Sequence, residues 1–386
     1  MHLFVKKKLS FSYKVLKKIV REMSYWLHSY ACYINGRQVW NTVKHNTNEV
    51  VSDRLLKEHK QLWRPLSKVV PSVFIKAYVG LTGVKSKDFI PENIYYTIVE
   101  PILNNPIASA GYEDKAQIDW FHNDEYLPVI YLRNIHGVYY DKNRNELAKP
   151  ILSFEEADNG KIIVKPSIDS QGGRNIFIFS FKDNEWKTRK GDVLTIKFLE
   201  QHFKQNFIVQ EYVEQHPFFR QFNESSVNTL RVMTYRSVKD NKMHVLHAVL
   251  RVGKDGNEID NQSLGGYACG IQSNGVLRAF VADKYGATKQ TLAKGTINLS
   301  EVGKVYMIEE VKEVARKLAK CHFHSRILGF DLCVDKNSRV KLIEVNNMDI
   351  GMELTQHLVG PLFREFTNEV IDYCKERFKT FKYQIV

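Results

Sequence analysis

Gly329-Phe330-Asp331-Leu332-Cys333-Val334-Asp335-Lys336-Asn337-Ser338-Arg339-Val340-Lys341-Leu342-Ile343-Glu344-Val345-Asn346 reads as two strands flanking a polar turn. A turn centred between Asn337 and Ser338 places Asp331 directly opposite Glu344. Opposed residues have Cβ atoms ~4.5–5.5 Å apart, and like charges there repel. Alternation puts Asn346 on the face of Glu344, while Ile343 and Val345 point the other way with Phe330, Leu332 and Val334. Two carboxylates and an amide oxygen on one face of an apolar hairpin fit a cation, and Mg2+ takes one or two carboxylates together with waters and substrate phosphates. The competing reading pairs each acid with a lysine or arginine from a neighbouring element. On the hairpin alone the two readings stand level.

Outward from the hairpin, runs rich in Val, Ile, Phe and Tyr are separated by Gly, Asn and Asp. They predict strands at Lys161–Lys165, Ile176–Phe181, Phe207–Val213, Thr229–Arg236, His244–Val252, Leu328–Val334 and Val340–Val345. Helical patterns fall at about 192–204, 303–322 and 353–378. Short turns between neighbouring strands favour antiparallel hairpins, so the expected class is α+β. Residues 1–110 read as helices and loops, broken by Pro65, Pro71, Pro91, Pro101 and Pro106.

The 386 residues predict two or three domains at ~150 residues each. With 44% hydrophobic and 26% charged residues, collagen-like, mucin-like and wholly disordered classes are excluded. Cys32, Cys269, Cys321, Cys333 and Cys374 show no CxxC spacing and predict reduced thiols. No stretch reaches the ~20 apolar residues of a spanning helix. Lys14, Lys17 and Lys18 interrupt any signal-peptide core, so the expectation is a cytoplasmic protein.

The net charge of +13 is concentrated at one end. Residues 1–70 hold 14 Lys/Arg against 4 Asp/Glu, and the rest of the chain is nearly balanced at 42 against 39. From Tyr13 to Leu27 apolar residues recur at helical spacing, with Lys14, Lys17, Lys18 and Arg21 on much of the other face. Such a helix fits peripheral contact with an anionic membrane at its inner face, where each basic residue adds ~1 kcal/mol. The bland alternative is a solvated helix packed on the next domain. Nucleic acid ranks last, because nothing here forms an aromatic RNA platform or a helix-turn-helix.

A second segment carries chemistry. The predicted strand Lys161–Lys165 ends in a lysine and leads into Ser170-Gln171-Gly172-Gly173-Arg174, where paired glycines let backbone amides converge on phosphate oxygens. No Gly-Lys-Ser/Thr appears and a strand follows, so this is no P-loop. Alone it is an ordinary turn.

Together and in this order, the segments from about Asp114 to about Glu353 resemble the ATP-grasp superfamily, in its sugar-transfer-associated branch from bacterial polysaccharide gene clusters. The resemblance implies two α+β subdomains whose antiparallel sheets clasp ATP: an N-terminal and central part at 111–210, and a C-terminal part with the metal site at 211–386. A basic, mainly helical region at 1–110 precedes them. It implies nucleotide lysines at Lys115 and Lys165, a phosphate-covering loop at Ser170, Gln171, Gly172, Gly173 and Arg174, and an adenine hinge at Gln210, Glu211, Tyr212 and Val213. Glu214 and His216 stand as alternatives for the ribose contact. Arg231, with Arg251, would orient a carboxylate and stabilise the transferred phosphoryl group alongside Lys165, and Asp331, Glu344 and Asn346 fall on magnesium positions. The implied reaction is ligation of a carboxylate to an amine through an acyl phosphate, with ATP and Mg2+, on a uronic acid or amino sugar and an amino acid or amine, in capsule or O-antigen synthesis. The alternatives are a kinase on the same fold and a nucleotide-binding assembly scaffold.

Overall fold

The computed structural model describes residues 2–154, 157, 159–168, 175–258, 260 and 262–378, with side chains from Val15 onward. Two seven-stranded sheets form its frame, and every pairing within them is antiparallel. The first contains β1 (Ile130–Ile135), β2 (Val138–Asp141), β3 (Glu146–Leu147), β4 (Lys161–Pro166), β5 (Phe177–Lys182), β6 (Glu185–Thr188) and β7 (Phe207–Glu211), in the order β3-β2-β1-β7-β4-β5-β6. The second contains β8 (Thr229–Arg236), β9 (Met243–Val252), β10 (Tyr267–Ile271), β11 (Leu277–Ala282) and β12 (Thr288–Lys289). A small ladder of β13 (Thr291–Leu292) with β14 (Ile297–Asn298) follows, and β15 (Ile327–Val334) and β16 (Val340–Asn346) close the second sheet in the order β12-β11-β10-β9-β8-β15-β16. The chain passes from one sheet to the other at 211–216, where Gln215 bridges Asp335.

Period-2 alternation decides which face does what. Leu230, Val232, Leu250, Phe330, Leu332 and Val345 pack with Val311, Ala315 and Leu318 of the helix Ile308–Ala319, and with Ile130 and Ile208 of the first sheet. On the other face β8 reads Tyr235, Met233, Arg231, Thr229. Its apolar end meets Trp63, Ile94, Ile350 and Val370, and its polar end carries charge. The first sheet keeps a core of its own from Val164, Phe179, Phe198, Leu199, Phe207 and Val209.

The hairpin keeps the expected partners Asp331 and Glu344, Phe330 and Val345, Gly329 and Asn346. Beyond them the register shifts: Leu332 faces Leu342 rather than Ile343, so a bulge at Ile343 puts Leu342 into the core in its place. The helix expected over 353–378 is two helices, Met352–Leu358 and Thr367–Phe378, parted around Gly360-Pro361, where the chain cannot continue helically.

The amino-terminal region is helical. The 42-residue α1 (His2–Val43) docks by its second half, where Cys32, Val39 and Val43 are buried against α3 (Ser72–Thr82). Gly36 permits that approach, since a Cβ there would lie 2.4 Å from Phe74 Cε1. Helix α2 (Asp53–Trp63) is capped by Ser52 Oγ, which accepts from Leu55 N at 3.3 Å.

Candidate active site

Four cations and three carboxylates meet where β4 and β7 of the first sheet face β15 and β16 of the second. Asp114 caps the short helix Lys115–Trp120 by accepting from Ala116 N at 2.9 Å, and Lys115 N donates to Ser167 O at 2.9 Å. That pins Lys115 beside the end of β4. Its ammonium lies 2.9 Å from Glu344 Oε1. Lys165, at the carboxyl end of β4, is only 6% exposed, and burial together with the neighbouring Lys115 pushes it down to about 8, with Glu344 partly offsetting this. Fifty residues apart in sequence, the two lysines lie beside one carboxylate, which Lys115 pairs with and Lys165 feels electrostatically. Burial works against the Glu344 charge, yet Lys115 more than offsets it and holds the carboxyl below its ordinary value.

Asp331 behaves differently from its cross-strand partner. It is 2% exposed, and Arg231 clamps it with Nε to Oδ1 at 2.5 Å and Nη2 to Oδ2 at 2.8 Å. Arg251 Nη1 adds a third donor to Oδ2 at 2.8 Å. Burial pushes the carboxyl up, but the two arginines overcome it and hold Asp331 down to about 2. Arg231 also donates through Nη1 to Ile350 O at 2.7 Å. Arg251 Nη2 lies 3.6 Å from Asp260, whose Oδ2 accepts from the Thr229 amide at 3.1 Å and from its hydroxyl. Both arginines are therefore aimed by carboxylates, and Asp331, the acid read as a metal ligand, sits between them.

Asn346, the third expected metal position, is half-buried and donates weakly to Gly329 O at 3.4 Å. Glu344 and Asn346 thus stand nearer the open side, while the Asp331 oxygens are taken up by arginine. At the crossing between sheets Gln210 is buried and its amide donates to Pro128 O at 3.4 Å. Glu211 is bound twice to Val129: its amide donates to Val129 O at 2.8 Å, and its carboxylate accepts from Val129 N at 3.0 Å. Tyr212 O accepts from Asn159 Nδ2 at 2.7 Å, and Val213 is buried. His216 caps the turn Pro217–Arg220 through Nδ1, which accepts from Phe218 N at 3.2 Å, and stacks on Tyr306 at 4.2 Å. Glu214 pairs with Lys336. Ser170, Gln171, Gly172, Gly173 and Arg174 lie outside the described residues.

One acidic group went unread in the sequence. Glu92 and Glu100 are buried on a helical segment with a wide π turn at Tyr95–Val99, next to Glu353 and Asp349 just beyond β16. Tyr78 donates to Glu92 Oε1 at 3.0 Å, and Tyr96 donates to Glu353. Glu100 accepts from the amides of Asp349 and Ile350, both at 3.1 Å, and so fixes the loop whose carbonyl holds Arg231. Burial, then the like charge of Asp349, pushes Glu100 up to about 8. Pro91-Glu92 and Glu100-Pro101 bracket that segment in sequence, but nothing local ties them to residue 350.

Two antiparallel sheets clasping a basic, mostly buried gap define an ATP-grasp fold. Residues 100–370 match the family model described as sugar-transfer associated ATP-grasp, and the chain belongs to that family. No curated protein matches the sequence. Among solved structures, the chain is similar to N5-carboxyaminoimidazole ribonucleotide synthetase from Thermotoga maritima, at 14% identity over 64% of this chain and 47% of that one, TM-score 0.29. It is similar to L-amino acid ligase from Bacillus licheniformis, at 13% over 74% and 51%, TM-score 0.33. The D-alanine-D-alanine ligase from Coxiella burnetii gives 11% over 72% and 62%, TM-score 0.37. The chain spans about half to three-fifths of the length of these proteins, and likenesses this loose assign no residue.

Proposed function

We propose that this chain is an ATP- and Mg2+-dependent carboxylate–amine ligase that works through an acyl phosphate. The observation that carries the reading is the pairing of Lys115 with Glu344 at 2.9 Å beside the buried Lys165, inside a region that matches an ATP-grasp family. Lys115, Lys165, Arg231 and Arg251 bring four cationic groups to this cleft, which suits an anionic ligand.

Glu344 and Asn346 supply a carboxylate and an amide oxygen, a hard-donor pair that fits Mg2+ shared with phosphates. Asp331 would join them only where an anion draws Arg251 away from it. When bound, Mg2+ would neutralise charge on the phosphoryl group in transfer. Lys115 would leave Glu344 for a phosphate oxygen, and Lys165 would meet the same chain of phosphates from β4. Arg231, held in place by Asp331 and Ile350 O, would orient the substrate carboxylate with its remaining N–H groups. The carboxylate oxygen attacks the γ-phosphorus and ADP leaves. The amine then attacks the acyl carbon, phosphate leaves, and the nitrogen loses a proton. Ser170 to Arg174 would cover the γ-phosphate and exclude water from the acyl phosphate. Gln210 to Val213 would receive the adenine, with His216 or Glu214 near the ribose.

The sugar-transfer association of the family supports a uronic acid or amino sugar as one substrate and an amino acid or amine as the other, in capsule or O-antigen assembly. The test is a screen of sugar acids, amino sugars and amino acids with ADP and phosphate as readouts. Amide formation with stoichiometric ADP and phosphate is expected. A stable phosphorylated product formed without any amine would make the protein a kinase instead.

A further inference from the structure

The exposed half of α1 carries an apolar stripe that no described residue covers. Leu16, Ile19, Met23, Trp26, Leu27 and Tyr30 fall on one side of the helix at about 100° per residue, and Leu16, Met23 and Leu27 are 60%, 58% and 66% exposed. Cys32, Gly36, Val39 and Val43, which dock α1 on the body, lie on the opposite side. The helix is thus packed on the next domain through that opposite side, and the apolar stripe faces away from it. A groove lined by Trp26, Tyr30, Tyr33, Lys60 and Lys68 continues the stripe onto the segment after α2. Lys60 and Lys68 border that groove, and the exposed Arg37 falls on the same side of α1 as the stripe.

We infer that this face is a membrane-docking surface for an anionic lipid bilayer. Charge complementarity selects that occupant over a second copy of the chain. With 14 basic residues against 4 acidic ones in residues 1–70, two such faces repel each other, whereas an anionic headgroup layer attracts both. The side chains suit the depth profile of an interface. Leu16, Ile19, Met23 and Leu27 enter the acyl boundary, Trp26, Tyr30 and Tyr33 sit at headgroup level, and lysine stems lie along the surface with their ammonium groups in water. The helix lies in the interface plane and does not cross it, since no helix among the described residues is long and apolar enough to span a membrane. The inference stands whether or not the cleft turns over ATP.

The test is cosedimentation of the full chain with vesicles of equimolar phosphatidylcholine and phosphatidylglycerol, against pure phosphatidylcholine, at low and high salt. The expected result is at least about tenfold tighter binding to the anionic vesicles, lost at high salt. The L16E/M23E and K60Q/K68Q variants should each weaken it by about tenfold or more, without changing ATP turnover in the absence of lipid. Equal binding to both vesicles, or binding unmoved by either variant, would overturn the inference. So would a dimer seen by light scattering that L16E/M23E dissolves while vesicle binding is absent.

Discussion

Asp331→Asn keeps the side-chain shape and removes the charge that three guanidinium N–H groups bind at 2.5, 2.8 and 2.8 Å. The drop of Asp331 from 3.8 to about 2 corresponds to on the order of 2 kcal/mol of folding free energy. Removing one member of a buried ion pair costs ~3–5 kcal/mol, because its partners stay buried and uncompensated. Among the described residues Arg251 then keeps Asp260, at 3.6 Å, and Arg231 keeps the Ile350 carbonyl. The variant should therefore lose ~2–5 kcal/mol in urea unfolding followed by tryptophan fluorescence at neutral pH. The sign with pH follows from the depressed value. The contribution is complete above 3.8 and fades as pH falls through about 2, so the gap between wild type and variant closes in acid. A variant within ~0.5 kcal/mol of wild type at neutral pH, or a gap that persists in acid, would show that the arginines do not depend on Asp331.

Other outcomes follow from the same geometry. Lys165 ionises at about 8, so phosphate contact should draw a proton onto it, and titration calorimetry in buffers of different ionisation enthalpy near that pH should show proton uptake that K165M lacks. Glu100 is raised from 4.5 to about 8, so the folded state holds its proton more tightly and stability falls as pH rises across that window. In thermal unfolding E100Q should be flatter over the same window, by up to about 1.4 kcal/mol per pH unit. Gly329→Ala would set a Cβ 2.8 Å from Ile350 Cγ2 and 3.2 Å from Arg231 Cδ; a loss of ~1–3 kcal/mol in urea unfolding is expected, with a raised KM for the carboxylate substrate.

Much of the frame was legible because its strands are apolar runs bounded by turn residues. Thr229–Arg236 has the expected bounds, and β4, β5, β9, β15 and β16 differ from expectation by a residue or so at their ends. Strands β1, β10 and β11, and the shorter β2, β3, β6, β12, β13 and β14, were not foreseen. Arg133 and Asn134 interrupt β1 with polar side chains that prove buried, Arg133 donating to Ala116 O at 3.0 Å, and Gly270 breaks the pattern of β10. The opposition of Asp331 and Glu344 could be read from one hairpin. The arginines around Asp331 could not, because β8 lies beside β15 by sheet order and is about a hundred residues away in sequence. The bulge at Ile343 has no local signature, since Leu342 and Ile343 are equally apolar. The acidic group around Glu100 needed the fold to bring residues 92–100 against 349–353.

Calorimetric titration of ATP into wild type and Glu344→Gln, with and without Mg2+, tests the cleft most directly. Wild type should bind ATP at least about tenfold more tightly with Mg2+, and the variant should lose that dependence while unfolding within ~1 kcal/mol of wild type, because Glu344 is half-buried and its ion pair among the described residues is with Lys115. Equal Mg2+ dependence in both proteins, or no ATP binding by wild type, would contradict the account.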